Sequence, residues 1–158
     1  MDIKDCMIYE KNIPAHPAVY EEFPEELQPE LADYLKTHGI EKLYCHQAEM
    51  FAKVNRGKNV VITTSTASGK TLSFLLPILQ EVLNNPLTRA IFIYPTKALA
   101  ADQYRAIHPY LEYFGENRIV AGVYDGDTPP SERTRIRQSA NIILTNPEMV
   151  NGAFLPNH

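Results

Sequence analysis

Apolar residues recur along this chain with two different periods, and the switches between them divide it into elements. In 25–38, Leu27, Leu31, Tyr34 and Leu35 fall at i, i+4, i+7 and i+8, the stripe of an amphipathic helix. Gly39 follows, where a helix end favours a residue tolerant of positive φ. The pattern predicts a second helix over 46–55, stopped by Gly57. Residues 59–63 then form a short apolar run rich in β-branched side chains, which predicts a strand. Leu72, Leu75, Leu76, Leu79, Val82 and Leu83 return to the helical period. A second strand is expected at 90–94, followed by a helix through Leu99, Ile107, Leu111 and Phe114 that ends at Gly115. Two more strands are expected at 118–124 and 141–145, with a polar helix over 130–139 between them.

Strands that are apolar without a break, separated by helices, indicate a mostly parallel sheet covered on both faces. The expected fold class is therefore α/β, a three-layer α/β/α domain. Pro77 and Pro109 sit inside the two longest helical patterns, and each predicts a kink or a break. Residues 1–24 contain Pro14, Pro17 and Pro24 and show no period, so they read as an extended N-terminal arm before a domain over 25–158.

Composition changes this picture little. A chain of 158 residues suits one domain, and 44% apolar with 22% charged residues argues against disorder. The net charge of -4 excludes a strongly basic nucleic-acid coat protein, but not contacts made through backbone amides and hydroxyls. No apolar run approaches the ~20 residues that span a bilayer, and the charged start MDIKDCMIYEKN has no apolar centre. These features predict a cytoplasmic chain with no membrane partner. Cys6 and Cys45 lack a CxxC spacing and read as reduced thiols.

The sharpest chemical signal is TSTASGKT, 64–71, between a predicted strand and a predicted helix. The strict P-loop pattern asks for glycine six residues before the lysine, where Thr64 stands. The physics survives that change. Gly69 lets the backbone approach a phosphate, the amides from Ala67 onward point at it, and the dipole of the following helix favours negative charge. Lys70 would sit on the β- and γ-phosphates and the Thr71 hydroxyl would ligate Mg²⁺. A Ser/Thr-rich helix cap is the plainer reading, and the intact GKT in its strand–loop–helix setting argues against it. Upstream lies GIEKLYCHQ, 39–47, whose Gln47 offers one donor and one acceptor, matching the N6 and N7 edge of adenine. Arg133 and Arg137 share a helix face and read as a solvated basic surface.

Taken together, these segments resemble the first RecA-like motor domain of a superfamily 2 helicase of the DEAD/DEAH-box type. QPELADYLKTHGIEKLYCHQ resembles the helix and Q motif of that family, and TSTASGKT its motif I. YPTKALAADQ at 94–103 resembles motif Ia, GDTP at 126–129 motif Ib, and TNPEM at 145–149 motif Ic. The wording is most similar to a bacterial DNA-repair helicase branch with a large C-terminal cysteine-cluster region. The resemblance implies ATP and Mg²⁺ as cofactors, with Lys70 and Thr71 as the catalytic pair, Thr71 as metal ligand, and Tyr44, Gln47, Thr64, Ser65, Thr66, Ala67, Ser68 and Gly69 completing the nucleotide site. Either Tyr44 or Phe23 would be the aromatic at the base. Thr96 and Lys97, Gly126, Asp127 and Thr128, and Thr145 and Asn146 would meet a nucleic-acid backbone, DNA more than RNA.

The implied function is the ATP-binding portion of an ATP-dependent DNA helicase. A nonenzymatic nucleotide- or nucleic-acid-binding module is the alternative, and a small-molecule kinase would leave PTKALAADQ and TNPEM without a role. There is no DExH or DExD run in the chain. The expected fold is therefore a RecA-like domain truncated before its Walker B strand, partnered by the rest of a helicase polypeptide. Its buried-type strands would be left with open edges, and turnover by this chain alone is not expected.

Overall fold

In a computed structural model, which describes residues 11, 17–65, 68–115 and 117–157, three parallel strands carry the fold. They are β3 (Ala90–Ile93), β4 (Ala121–Val123) and β5 (Ile142–Thr145), ordered β3-β5-β4. The register sets Ile91 opposite Ile143 and Gly122 opposite the same residue from the other side. Before the sheet come β1 (Tyr20–Glu21), α1 (Pro29–Thr37), β2 (Leu43–Tyr44), α2 (Cys45–Asn55) and α3 (Lys70–Asn84). The strands are linked by α4 (Lys97–Phe114) and α5 (Pro130–Ser139), and a short α6 (Pro147–Met149) follows β5. One π-helical turn at Val150–Phe154 and one 3-10 turn at Leu155–Asn157 complete the described chain.

Alternation along the strands sorts the core into two layers. Ile142, Leu144 and Ala121 join Leu31, Leu35, Leu43, Phe51, Leu76, Leu79, Ile107 and Leu111 in one cluster built with α1 to α4. Ile143 and Tyr124 face the other way, against Ile136 and Ala140 at the α5 side and Phe154 beyond β5. Helices thus cover both faces, as the expected α/β/α class requires. Gly122 is needed here: a Cβ on it would lie 2.7 Å from Ile136 Cγ1. The strand starts are tied by the buried Asn141, whose Nδ2 donates to Pro86 O (2.9 Å) and Thr88 O (3.1 Å) while Oδ1 accepts from Val120 N–H (3.0 Å).

Three expectations need correction. Residues 59–63 are not a strand: they run beside α2 without ladder pairing, and Val61 is 89% exposed. A parallel strand is stable only with neighbours on its edges, and the outer edge of β3 is likewise unpaired. Of the kink or break expected at Pro77 and Pro109, the break does not occur, since α3 and α4 run through them. Most of the expected arm lies outside the described residues, but Tyr20 and Glu21 pair antiparallel with Tyr44 and Leu43, so its end belongs to the domain. Of the two cysteines, Cys45 is a free thiol and Cys6 is outside the described residues. No helix among the described residues is long and apolar enough to cross a membrane.

Candidate nucleotide and nucleic-acid sites

Gly69 ends the loop before α3 in the left-handed region, φ +75°, and a Cβ there would stand 2.6 Å from Gln47 Nε2. Glycine is the residue that allows both the turn and that close approach. Gln47 is buried, on the first turn of α2. Its Oε1 accepts from Tyr44 N–H at 2.9 Å and its Nε2 donates to Gly69 O at 3.0 Å. The amide therefore joins α2 to the start of α3 and keeps one lone pair and one proton unused.

Lys70 lies folded into the loop. Its ammonium donates to Thr64 O at 3.0 Å, to Ser65 O, and more loosely to Thr64 Oγ1 (3.3 Å) and Ser68 Oγ (3.4 Å). Thr64 Oγ1 and Ser68 Oγ are themselves 2.6 Å apart. The loop thus gathers carbonyls and hydroxyls around one cation, which a phosphate can exchange for its own oxygens. Thr66 and Ala67 lie outside the described residues. Thr71, one residue into α3, donates its hydroxyl to Gln103 Oε1 on α4 at 3.0 Å.

A cavity of about 670 Å³ opens beside this loop, lined by Tyr20, Tyr44, Gln47, Gly69, Thr71 and Tyr110 among others. Tyr20 stacks on Tyr44 with ring centroids 5.0 Å apart, which makes an apolar wall at the Gln47 end. Burial pushes the Tyr110 phenol up to about 12, so it is neutral at physiological pH. Of the two candidate aromatics, Tyr44 lines this cavity, whereas Phe23 packs on the core beneath Lys36. No group of three or more His, Cys, Asp or Glu gathers for a cation among the described residues. A magnesium ion here would take the Thr71 hydroxyl and complete its shell from phosphate oxygens and water, which is how that ion commonly binds. The donor set fits it on those terms.

The second cluster forms at the C-terminal ends of the three strands. Thr96 caps α4, its Oγ1 accepting from Leu99 N–H at 3.2 Å. Lys97 Nζ meets Asp127 Oδ2 at 2.9 Å, joining the β3 and β4 loops, and this hydrogen bond raises the lysine pKa. Asp125 Oδ1 accepts from the amides of Asp127 (2.9 Å) and Thr128 (3.1 Å) and shapes the turn that contains Gly126. A depression of about 350 Å³ runs between Thr96 and Lys97 on one side and Asn146, Pro147 and Glu148 on the other. Thr145 and Asn146 differ from the expectation of surface groups. The Thr145 hydroxyl is buried and donates to Tyr124 O at 2.6 Å, while Asn146 Oδ1 caps α6 by accepting from Met149 N–H at 3.0 Å.

Three participants escaped the sequence reading. Tyr20 belonged to the supposed arm, and Gln103 ended a motif without an assigned role. Arg133 is no solvated charge: its Nη2 donates to Asp125 O (2.9 Å) and Gly126 O (2.8 Å), and its guanidinium lies 5.7 Å from the Tyr124 ring centroid. Only the i,i+4 spacing of its neighbours was visible in one dimension.

The sequence model of the DEAD/DEAH box helicase family matches residues 44–157. The chain is 40% identical over 135 residues to an uncharacterised ATP-dependent helicase of Bacillus subtilis, YprA, covering 85% of this chain and 18% of that protein. It is 41% identical over 157 residues to the ATP-dependent helicase HRQ1 of Saccharomyces cerevisiae, covering 99% of this chain and 14% of the relative. A crystal structure of the DUF1998 helicase MrfA bound to DNA and AMPPNP superposes with a TM-score of 0.87 at 38% identity, over 92% of this chain and 20% of that one. The fold is also that of a DEAD-box protein from Methanococcus jannaschii, TM-score 0.69 at 24% identity, which identifies the sheet and helices as RecA-like. The chain spans less than a fifth of the length of the first two relatives.

Proposed function

The chain belongs to the DEAD/DEAH box helicase family, and from that membership we propose that it forms the Mg-ATP-binding and strand-gripping part of an ATP-dependent DNA helicase. One observation carries the reading: Gln47, Gly69, Lys70 and Thr71 converge at one loop beside a cavity walled by Tyr44. Adenine enters against Tyr44, and the spare lone pair and proton of Gln47 meet its N6 and N7 edge. Lys70 leaves the loop carbonyls for the β- and γ-phosphates, and the amides from Ser68 to Thr71 point at the same oxygens. Thr71 offers its hydroxyl to Mg²⁺, which when bound neutralises charge on those oxygens. Thr64 and Ser65 lose the ammonium as partner and keep the loop closed through the Thr64–Ser68 contact.

At the strand ends, Thr96, Lys97, Gly126, Asp127 and Thr128 hold a DNA backbone, with Thr145 and Asn146 fixing the shape of that surface from within. Contacts of this type position a strand without reading its bases. DNA is preferred to RNA on the strength of the likeness to the DNA-bound relative.

Titration with a fluorescent ATP analogue tests the first half. Lys70→Ala is expected to weaken binding by roughly 10–150-fold, the worth of a charge-assisted hydrogen bond at about 1.5–3 kcal/mol. Equal affinities would reduce the loop to a helix cap. For the second half, Lys97→Ala should lower the steepness of the salt dependence of single-stranded DNA binding by about 0.7, one phosphate contact. An unchanged slope, or tighter binding of RNA of the same length, would remove that assignment.

A further inference from the structure

The Thr71 hydroxyl has one proton and two lone pairs, and in this structure the proton goes to Gln103 Oε1 at 3.0 Å. A threonine on a helix ordinarily returns that proton to a carbonyl of its own preceding turn, which turns a lone pair away from the loop. Gln103 offers a different acceptor, on another helix. It is a fixed one: α4 is capped by Thr96, held at its start by the Lys97–Asp127 pair, and anchored on either side of Gln103 by the buried Ala100 and Ile107. Both side chains are half-buried, so bulk water competes weakly for the contact.

We propose that Gln103 is a positioning residue for the metal: by taking the Thr71 proton it turns a hydroxyl lone pair toward the site where Mg²⁺ meets the nucleotide phosphates. The inference rests on the reading of Thr71 as the magnesium ligand. What the role requires is an acceptor oxygen held on α4, whether amide or carboxylate. Partners that orient a metal ligand typically govern 10–100-fold in metal affinity. The same contact joins the first turn of α3 to α4, whose other end presents Thr96 and Lys97.

The experiment measures binding of a fluorescent ATP analogue to the 158-residue chain in excess Mg²⁺ and in EDTA, and takes the ratio of the two dissociation constants as the gain due to metal. Gln103→Met keeps the length and loses the acceptor; Gln103→Glu keeps an acceptor oxygen. The expected result is a gain reduced about tenfold, or abolished, in Gln103→Met. Gln103→Glu should hold the wild-type gain, and the EDTA affinity should be unchanged in both. A wild-type gain in Gln103→Met would overturn the proposal. A fall in EDTA affinity would overturn it too, by showing that Gln103 only supports the fold of the loop. Thr71→Ala separates the underlying reading: if it leaves the metal gain intact, Thr71 is no ligand and the premise fails, whatever the Gln103 variants do.

Discussion

Gln47 spends half of its hydrogen-bonding capacity inside the protein, taking the Tyr44 amide proton and giving one of its own to Gly69 O. What remains is a donor and an acceptor on one planar group, the complement of adenine and a mismatch for guanine, whose O6 and N7 are both acceptors. Gln47→Ala is therefore expected to weaken ATP-analogue binding by about 10–100-fold and to bring ATP and GTP analogues to similar affinities. It should also lower stability by roughly 1–3 kcal/mol, because the part-buried Tyr44 amide is left without its acceptor. Parallel titrations with both nucleotides check this; a retained preference for ATP would assign Gln47 to the loop alone. The grouping of Gly69, Lys70 and Thr71 is legible in one short segment, whereas Gln47, twenty-two residues before Gly69, joins them in sequence only through the family resemblance. Gln103, Tyr20 and Arg133 were not legible, since each is defined by a partner that only the fold brings near. Arg133 shows why most clearly. It stands in a polar run between Glu132 and Thr134, yet its contacts are two carbonyls seven and eight residues back and an aromatic face.

Elements were legible where one face of each is buried and the helix or strand closes on itself. The 130–139 prediction coincides with α5, and α2, α4 and β5 begin or end within about two residues of expectation, an ordinary spread for element ends. The exception, 59–63, has the β-branched composition of a strand but no ladder beside it, and composition cannot supply a neighbour. The two prolines erred in the other direction. Pro77 is buried among the apolar side chains of α3, and tertiary packing there outweighs a helix bond that costs ~3 kcal/mol to lose. Within the sheet, Asn141 closes three hydrogen bonds at the strand starts, to Pro86 O, Thr88 O and Val120 N–H. Asn141→Ala removes the partner of all three part-buried groups, and should lower unfolding free energy by roughly 1–3 kcal/mol in urea titrations. A smaller loss would mean that water enters and replaces the amide.

At the scale of the molecule, the sheet ends on β3 and β4, each paired with β5 alone, and the β3 edge is apolar. Ile91 and Ile93 share the face of Ile143 but remain 49% and 53% exposed, and a groove of about 320 Å³ lined by Met50, Val54, Phe74, Pro77 and Ile78 runs beside β3. An unpaired apolar edge of this kind recruits other strands. Sedimentation should accordingly find self-association that Ile93→Lys reduces; equal behaviour of both forms would exclude the β3 edge as its cause. On the proposed reading the chain supplies a lysine for the phosphates, a hydroxyl for the metal and a base contact, which suffice for binding, while these 158 residues contain no DExH or DExD run to hold the metal and orient a water. Phosphoryl transfer depends on positioning and charge stabilisation, and loss of an arginine finger alone removes about 10³–10⁵ in rate. Carboxylates that hold the metal and orient the water act with such a group as a unit, so their contributions are not additive. The 158-residue chain is thus expected to bind ATP yet release no phosphate above background, with or without single-stranded DNA. Lys70→Ala serves as the control for contaminating activity. Turnover that depends on Lys70 and rises with DNA would mean that the chain completes its site with acids from a second copy.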